Sequence, residues 1–241
     1  MMKIKSMFLI VALTSLSLLA ASNSVQAYTF DSEVPENLRN EITRDMAFIG
    51  SIQGTSESPL HKEIFGDVNG KKYVAFFESR VTAIGLDDCG GGKPVACVIP
   101  YIDSSRIWLT PNYIKFDHPQ IAKMMVVFHE ARHTETKNRN WPHAHCPTPF
   151  VDAHGNEIKS IWTGSSLAGE PACDSVSRGS YGSSTIMLKN VSKFCTSCNE
   201  KVKTDAGIFA DDQMQRITGK SAQAEMKRDL YSAPFELGND L

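Results

Sequence analysis

The stretch VVFHEARHTE, residues 126–135, does most to narrow what this chain can fold into. Residues four apart on a helix project from one face. His129 and His133 would therefore present two imidazoles to one point, with the carboxyl of Glu130 one position on. The flanking sequence predicts that helix. Ile121, Met124, Met125 and Phe128 recur at amphipathic spacing, and Asp117-His118-Pro119 offers an N-cap with proline near the first turn. The pattern runs from Pro119 to about Asn138. Two histidines at this spacing suit a zinc ion, which binds imidazole nitrogen at ~2.0–2.1 Å. The carboxylate suits proton transfer from a zinc-activated water, since the ion lowers the pKa of that water to roughly 7. A third protein ligand has to come from elsewhere in the chain.

The ends of the chain and its cysteines bound where such chemistry would act. Lys3 and Lys5 precede an uncharged apolar run, Met7 to Ala21, and Val25-Gln26-Ala27 fits the small-x-small rule for signal cleavage. The run is shorter than the ~20 residues of a spanning helix. The expectation is a signal peptide over 1–27, a mature chain from about Tyr28, no stable membrane span, and a secreted or periplasmic location. All six cysteines fall after this leader. An even number there argues for disulfides, and the sequence-local pairing is Cys89–Cys97, Cys146–Cys173 and Cys195–Cys198. The formal net charge is −2 and no basic block is present, which argues against nucleic acid and anionic membranes as partners.

Along the chain, Pro35 to Gly50 reads as a helix with Leu38, Ile42, Met46 and Ile49 on one face. Ser51 to Gly70 reads as loop, and Tyr28 to Gly70 is the one stretch open to being a pro-segment. Lys72 to Leu86 suggests one or two strands, being rich in aromatic and β-branched residues. Val95 to Ile99 and Arg106 to Thr110 are further strand candidates. Residues 138–182 are dense in Gly, Pro, Ser, Cys and His with little periodicity, as functional loops often are. Helices are expected again at Ser184 to Phe194, Asp205 to Ile217 and Ala222 to Tyr231. Residues 28–241 read as one domain, with two lobes divided near 139 as a variant.

H-E-A-R-H on a helix, preceded by the strand-like RIWLT, resembles the zincin metallopeptidases over roughly Arg106 to His145. The resemblance implies that His129 and His133 bind zinc, that Glu130 is the general base, and that an edge strand beside the helix aligns the substrate. Subfamily patterns fit less well. A metzincin needs glycine and histidine where this chain has Thr136 and Arg139. A thermolysin-like pattern would use Glu170 with Asp174, but Gly169 and Pro171 flank that glutamate. An aspzincin motif would need fewer residues between Asp174 and Tyr181-Gly182. The third ligand stays open, with His143 ranked first because it directly follows the Trp141-Pro142 turn, then Asp174, His145 and Glu170. A disulfide from Cys146 to Cys173 would bring Asp174 near the same point. Tyr181 is a candidate oxyanion donor or an ordinary tyrosine. Glu135 supports a ligand histidine or is solvated, and Arg132 reads as a salt-bridge or surface residue. Cys195-Thr-Ser-Cys198 reads as a structural disulfide rather than a redox motif.

The sequence thus predicts an α+β fold: a small mixed or antiparallel sheet packed on a zincin-like helix, with further C-terminal helices. The expected function is that of an exported zinc metalloendopeptidase acting on peptide or protein. A non-catalytic protein with a structural zinc, and a zinc amidase acting on cell-wall or other non-protein amides, are the competing readings.

Overall fold

The computed structural model describes residues 27–232, so the predicted leader lies outside the described residues, Ala27 apart. A mixed four-stranded sheet forms one layer, in the order β1 (Thr29–Phe30), β2 (Ala83–Leu86), β4 (Ser104–Leu109), β3 (Ala96–Ile99). β1, β2 and β4 run parallel, while β3 is antiparallel to β4 and forms one edge. Helices cover the sheet: α1 (Glu36–Gly50), α2 (Pro59–Phe65), α3 (Gly70–Glu78), the short α4 (Pro100–Asp103) and α5 (Pro111–Lys115), then α6 (Gln120–His133). After a long irregular segment come α7 (Ser180–Phe194), α8 (Glu200–Gln215) and α9 (Lys220–Met226), the last extended by a π-helical turn over Lys227–Tyr231. The architecture is α+β.

α6 is the pivot. Eleven of its fourteen residues are buried, so it is a central helix enclosed on all sides rather than an amphipathic surface one. It packs against α1, α7, α8, β3 and β4. The helix stops at His133 rather than near Asn138. Thr134 caps it and turns its hydroxyl back to donate to Ala131 O at 2.9 Å. Its first cap is Pro119, without a side-chain acceptor, and not Asp117. Of the two readings of Arg132, the salt bridge holds, to Glu135 at 2.6 Å, while the surface position does not, the residue being only 6% exposed.

Two other expectations change. The aromatic run after Lys72 is helical, because Tyr73, Phe76 and Phe77 fall on one helical face and meet Phe128 of α6. Asn69 caps that helix through Lys71 N. Tertiary packing outweighed the strand propensity of the aromatics. Residues 51–70 are not all loop. Ser58-Pro59 starts α2, the serine capping His61 N with proline in the first turn. The predicted face of α1 is the buried one. Tyr28, Val34, Leu38 and Ile42 sit in the same core as Met124, Leu188 and Phe209. Residues 28–70 therefore contribute to the same core, which draws on both sides of residue 139.

His61 is fully buried in α2. Its Nδ1 donates to Gly66 O at 2.8 Å, so Nε2 accepts from Tyr73 Oη at 2.7 Å. Burial lowers its pKa from 6.5 to about 4. In the unfolded chain the ring takes up a proton near pH 6.5, whereas the folded protein resists protonation down to about pH 4. Stability is therefore full above pH 6.5 and falls as the pH drops through that window, by about 3 kcal/mol in total. Denaturant titrations between pH 7 and 4 should show a shallower acid loss in His61→Gln than in the native chain. Equal slopes would remove this assignment.

Candidate metal centre

Three histidines converge at the C-terminal end of α6. His129 Nε2 lies 3.3 Å from His133 Nε2 and 3.1 Å from His143 Nε2, and the latter two are 3.0 Å apart. Their outer nitrogens fix the tautomers. His133 Nδ1 faces the carbonyl of Asn140 at 2.8 Å, and a carbonyl only accepts. His143 Nδ1 donates to Asp174 Oδ1 at 2.9 Å. In the neutral rings both Nε2 atoms therefore carry lone pairs, and two lone pairs 3.0 Å apart repel unless a cation lies between them. Burial, reinforced by the neighbouring imidazoles, holds His129 well below its ordinary pKa and brings His133 down to about 4. Neutral imidazole is the form a metal needs. A tetrahedral site with ~2.0–2.1 Å bonds separates its nitrogens by roughly 3.3 Å, close to the spacing seen. The three histidines can hold a metal ion.

The irregular segment brings His143 back to α6. Cys146 and Cys173 form a disulfide, and Ala144 pairs with Cys173 through both backbone bonds. Cys89–Cys97 and Cys195–Cys198 are also bonded, so all three local pairings are present and no cysteine is free. Asp174, the alternative third ligand, stays out of the nitrogen triangle. Its Oδ2 accepts from Tyr181 N at 2.8 Å, in the first turn of α7. Its backbone is strapped to Arg216 O and Thr218 N. It orients His143 rather than joining it. A Cβ on Gly179 would lie 2.3 Å from Asp174 Oδ2 and one on Gly182 would lie 2.0 Å from Ser177 O. Gly179 lets the carboxylate reach the helix end, and Gly182 lets the Ser177 carbonyl approach α7 closely. His145 turns away and is exposed, its Nδ1 donating to Gly169 O. Glu170 pairs with Lys93 at 2.8 Å.

Glu130 is 5% exposed, and its Oε2 has no hydrogen-bond partner. Burial without a partner pushes its carboxyl up to about 8. Tyr181 stands in the first turn of α7 and is half-buried. Its ring stacks on His143 and meets His129 edge-on, with centroids 4.6 and 4.4 Å away. Arg216 Nη1 donates to its hydroxyl at 3.0 Å, which leaves the phenolic proton free. Sequence reasoning missed Arg216, because an isolated arginine at the end of α8 carries no local signal.

The histidines, Glu130, Tyr181 and Arg216 all line one cavity of ≈ 750 Å³. Its far wall is β3, through Ala96 and Val98, and its floor is Met125 and Val126. Trp162 closes one side, fixed by its Nε1 donating to Asn112 O and by the His118 ring 4.0 Å away. Among the described residues no helix is long and apolar enough to cross a membrane. No family model, curated protein or solved structure matches this chain.

Proposed function

We propose that the chain is an exported zinc-dependent hydrolase of zincin type, cleaving peptide bonds with Glu130 as general base. The observation that carries this reading is a three-histidine group, with no fourth carboxylate or thiolate among the described residues, set in the wall of a large cavity. Structural zinc is enclosed by four protein ligands, whereas catalytic zinc keeps a position open. Zinc is preferred because three neutral imidazoles are its usual donor set, and when bound it supplies an acidified water and polarises the carbonyl under attack.

The chain's own groups would do the rest. Glu130, ionised once a cation beside it offsets its burial, would take a proton from the attacking water through the unpartnered Oε2 and pass it to the leaving nitrogen. Tyr181 Oη already accepts from Arg216, so it has its proton to give to the carbonyl oxygen as charge develops there. The edge strand β3 borders the cavity, and a free strand edge holds an extended peptide by its backbone. That favours peptide over a compact non-protein amide, as do the apolar cavity walls. Three disulfides fit an oxidising compartment.

The expected result is about one zinc per chain by elemental analysis, with cleavage of a mixed peptide library that a chelator abolishes and added zinc restores. Zinc-free protein that also fails to bind added zinc would sink the metal centre. Zinc-loaded protein that cuts no peptide would sink the peptidase and leave the amidase or structural readings standing.

A further inference from the structure

The turn that carries His143 back to α6 is unusual. Arg139, Asn140 and Trp141 have φ of 54°, 60° and 43°, three successive left-handed residues, none of them glycine. That conformation is disfavoured for any residue with a Cβ, though least for asparagine, and a run of three persists only where its surroundings over-determine it. Here the surroundings centre on one carboxylate. Glu135 Oε2 accepts from Trp141 Nε1 at 2.7 Å and from Asn138 Nδ2 at 2.8 Å. Its Oε1 accepts from Arg80 Nε at 2.8 Å and Arg132 Nη1 at 2.6 Å. Arg132 also lies over the Trp141 ring, 4.8 Å from its centroid, and is itself tied to Arg178 O at 2.6 Å. Glu135 is thus not a solvated last-turn residue. Its side chain is 11% exposed.

The same turn also reaches the helix histidines. Asn140 Nδ2 donates to His133 O at 2.6 Å, and Asn140 O accepts from His133 Nδ1. His143 follows two residues after the last left-handed position, and the Ala144–Cys173 pairing begins immediately beyond it. The third histidine is therefore clamped on both sides, by Glu135 before it and by the disulfide-linked strap after it.

We propose that Glu135 is a positioning residue for the metal centre, acting through Trp141 to hold the left-handed turn that aims His143 and fixes the His133 ring. This inference rests on the three histidines binding a metal. It assigns Glu135 no contact with metal or substrate. Partners that orient ligands in this way change metal affinity by roughly 10–100-fold when removed.

The test is a zinc titration of the full chain against a competing chromophoric chelator, alongside the melting temperature of the zinc-free protein. Trp141→Phe keeps an aromatic ring beside Arg132 and removes the indole N–H together with the pyrrole half of the indole. It should weaken zinc binding about 10-fold while the zinc-free melting temperature stays put. Glu135→Ala should weaken it further, since it also frees Asn138, Arg80 and Arg132, and adding Trp141→Phe to it should cost nothing more, because the Glu135–Trp141 hydrogen bond is already gone. Native affinity in Trp141→Phe, or additive losses in the double variant, would overturn the proposal. A native chain that binds no zinc would instead overturn the metal centre itself, which separates the two failures.

Discussion

Glu130→Gln is expected to keep its zinc and to lose turnover by about 10²–10⁴-fold, the usual share of a positioned acid–base group. The argument rests on what the side chain touches. Glu130 sits next to His129 in sequence yet is absent from the group of nitrogens that can hold the ion. Its Oε2 is buried and unpartnered in a cavity wall. Glutamine fills the same space but cannot accept and return a proton. Metal content per chain should therefore match the native protein while the catalytic rate on any cleaved peptide collapses. Stability offers an independent check. A buried carboxyl without a partner is a liability to the fold, so the neutral amide should leave the melting temperature unchanged or raise it. Loss of zinc, or retained turnover, would count against the assignment of Glu130 as base.

Much of the site was legible because its parts are local. The i, i+4 histidines, the proline turn before His143 and the near-neighbour cysteine pairs each depend on a few adjacent residues. Even the buried face of α1 followed from spacing alone. What could not be read came from packing at a distance. Tyr73, Phe76 and Phe77 look like strand residues until Phe128 of α6 makes them one face of a helix. Arg132 looks solvated until Arg178 O and Glu135 surround it. Arg216 enters the site only because α8 ends beside the first turn of α7, where its guanidinium meets Tyr181. The choice between His143 and Asp174 was of the same kind. The two flank the Cys146–Cys173 disulfide, and the backbone ties of Asp174 to residues 216 and 218 set its carboxylate behind the imidazole instead of beside it.

That choice yields the other large effect. His143→Ala should weaken zinc binding by roughly 10²–10³-fold, a single ligand's share of the ~10–16 kcal/mol measured for four-ligand zinc sites. Asp174→Asn should cost less, roughly 10–100-fold, because it alters only the partner of His143 Nδ1. His145→Ala should cost nothing, its ring being turned outward onto Gly169 O. The order of the three losses is the informative quantity, since a carboxylate ligand at Asp174 would invert the first two. Thermal melts add a second reading. Zinc bound only by the folded state raises the native melting temperature by an amount that grows with the logarithm of its affinity, and this rise should shrink in His143→Ala. The zinc-free proteins should order differently. In the native chain the lone pairs of His133 and His143 face one another at 3.0 Å with nothing to offset them, and removing one imidazole relieves that repulsion. A His143→Ala chain that melts no lower than native without zinc, yet gains less than native from adding it, would show that this histidine serves the ion and not the fold.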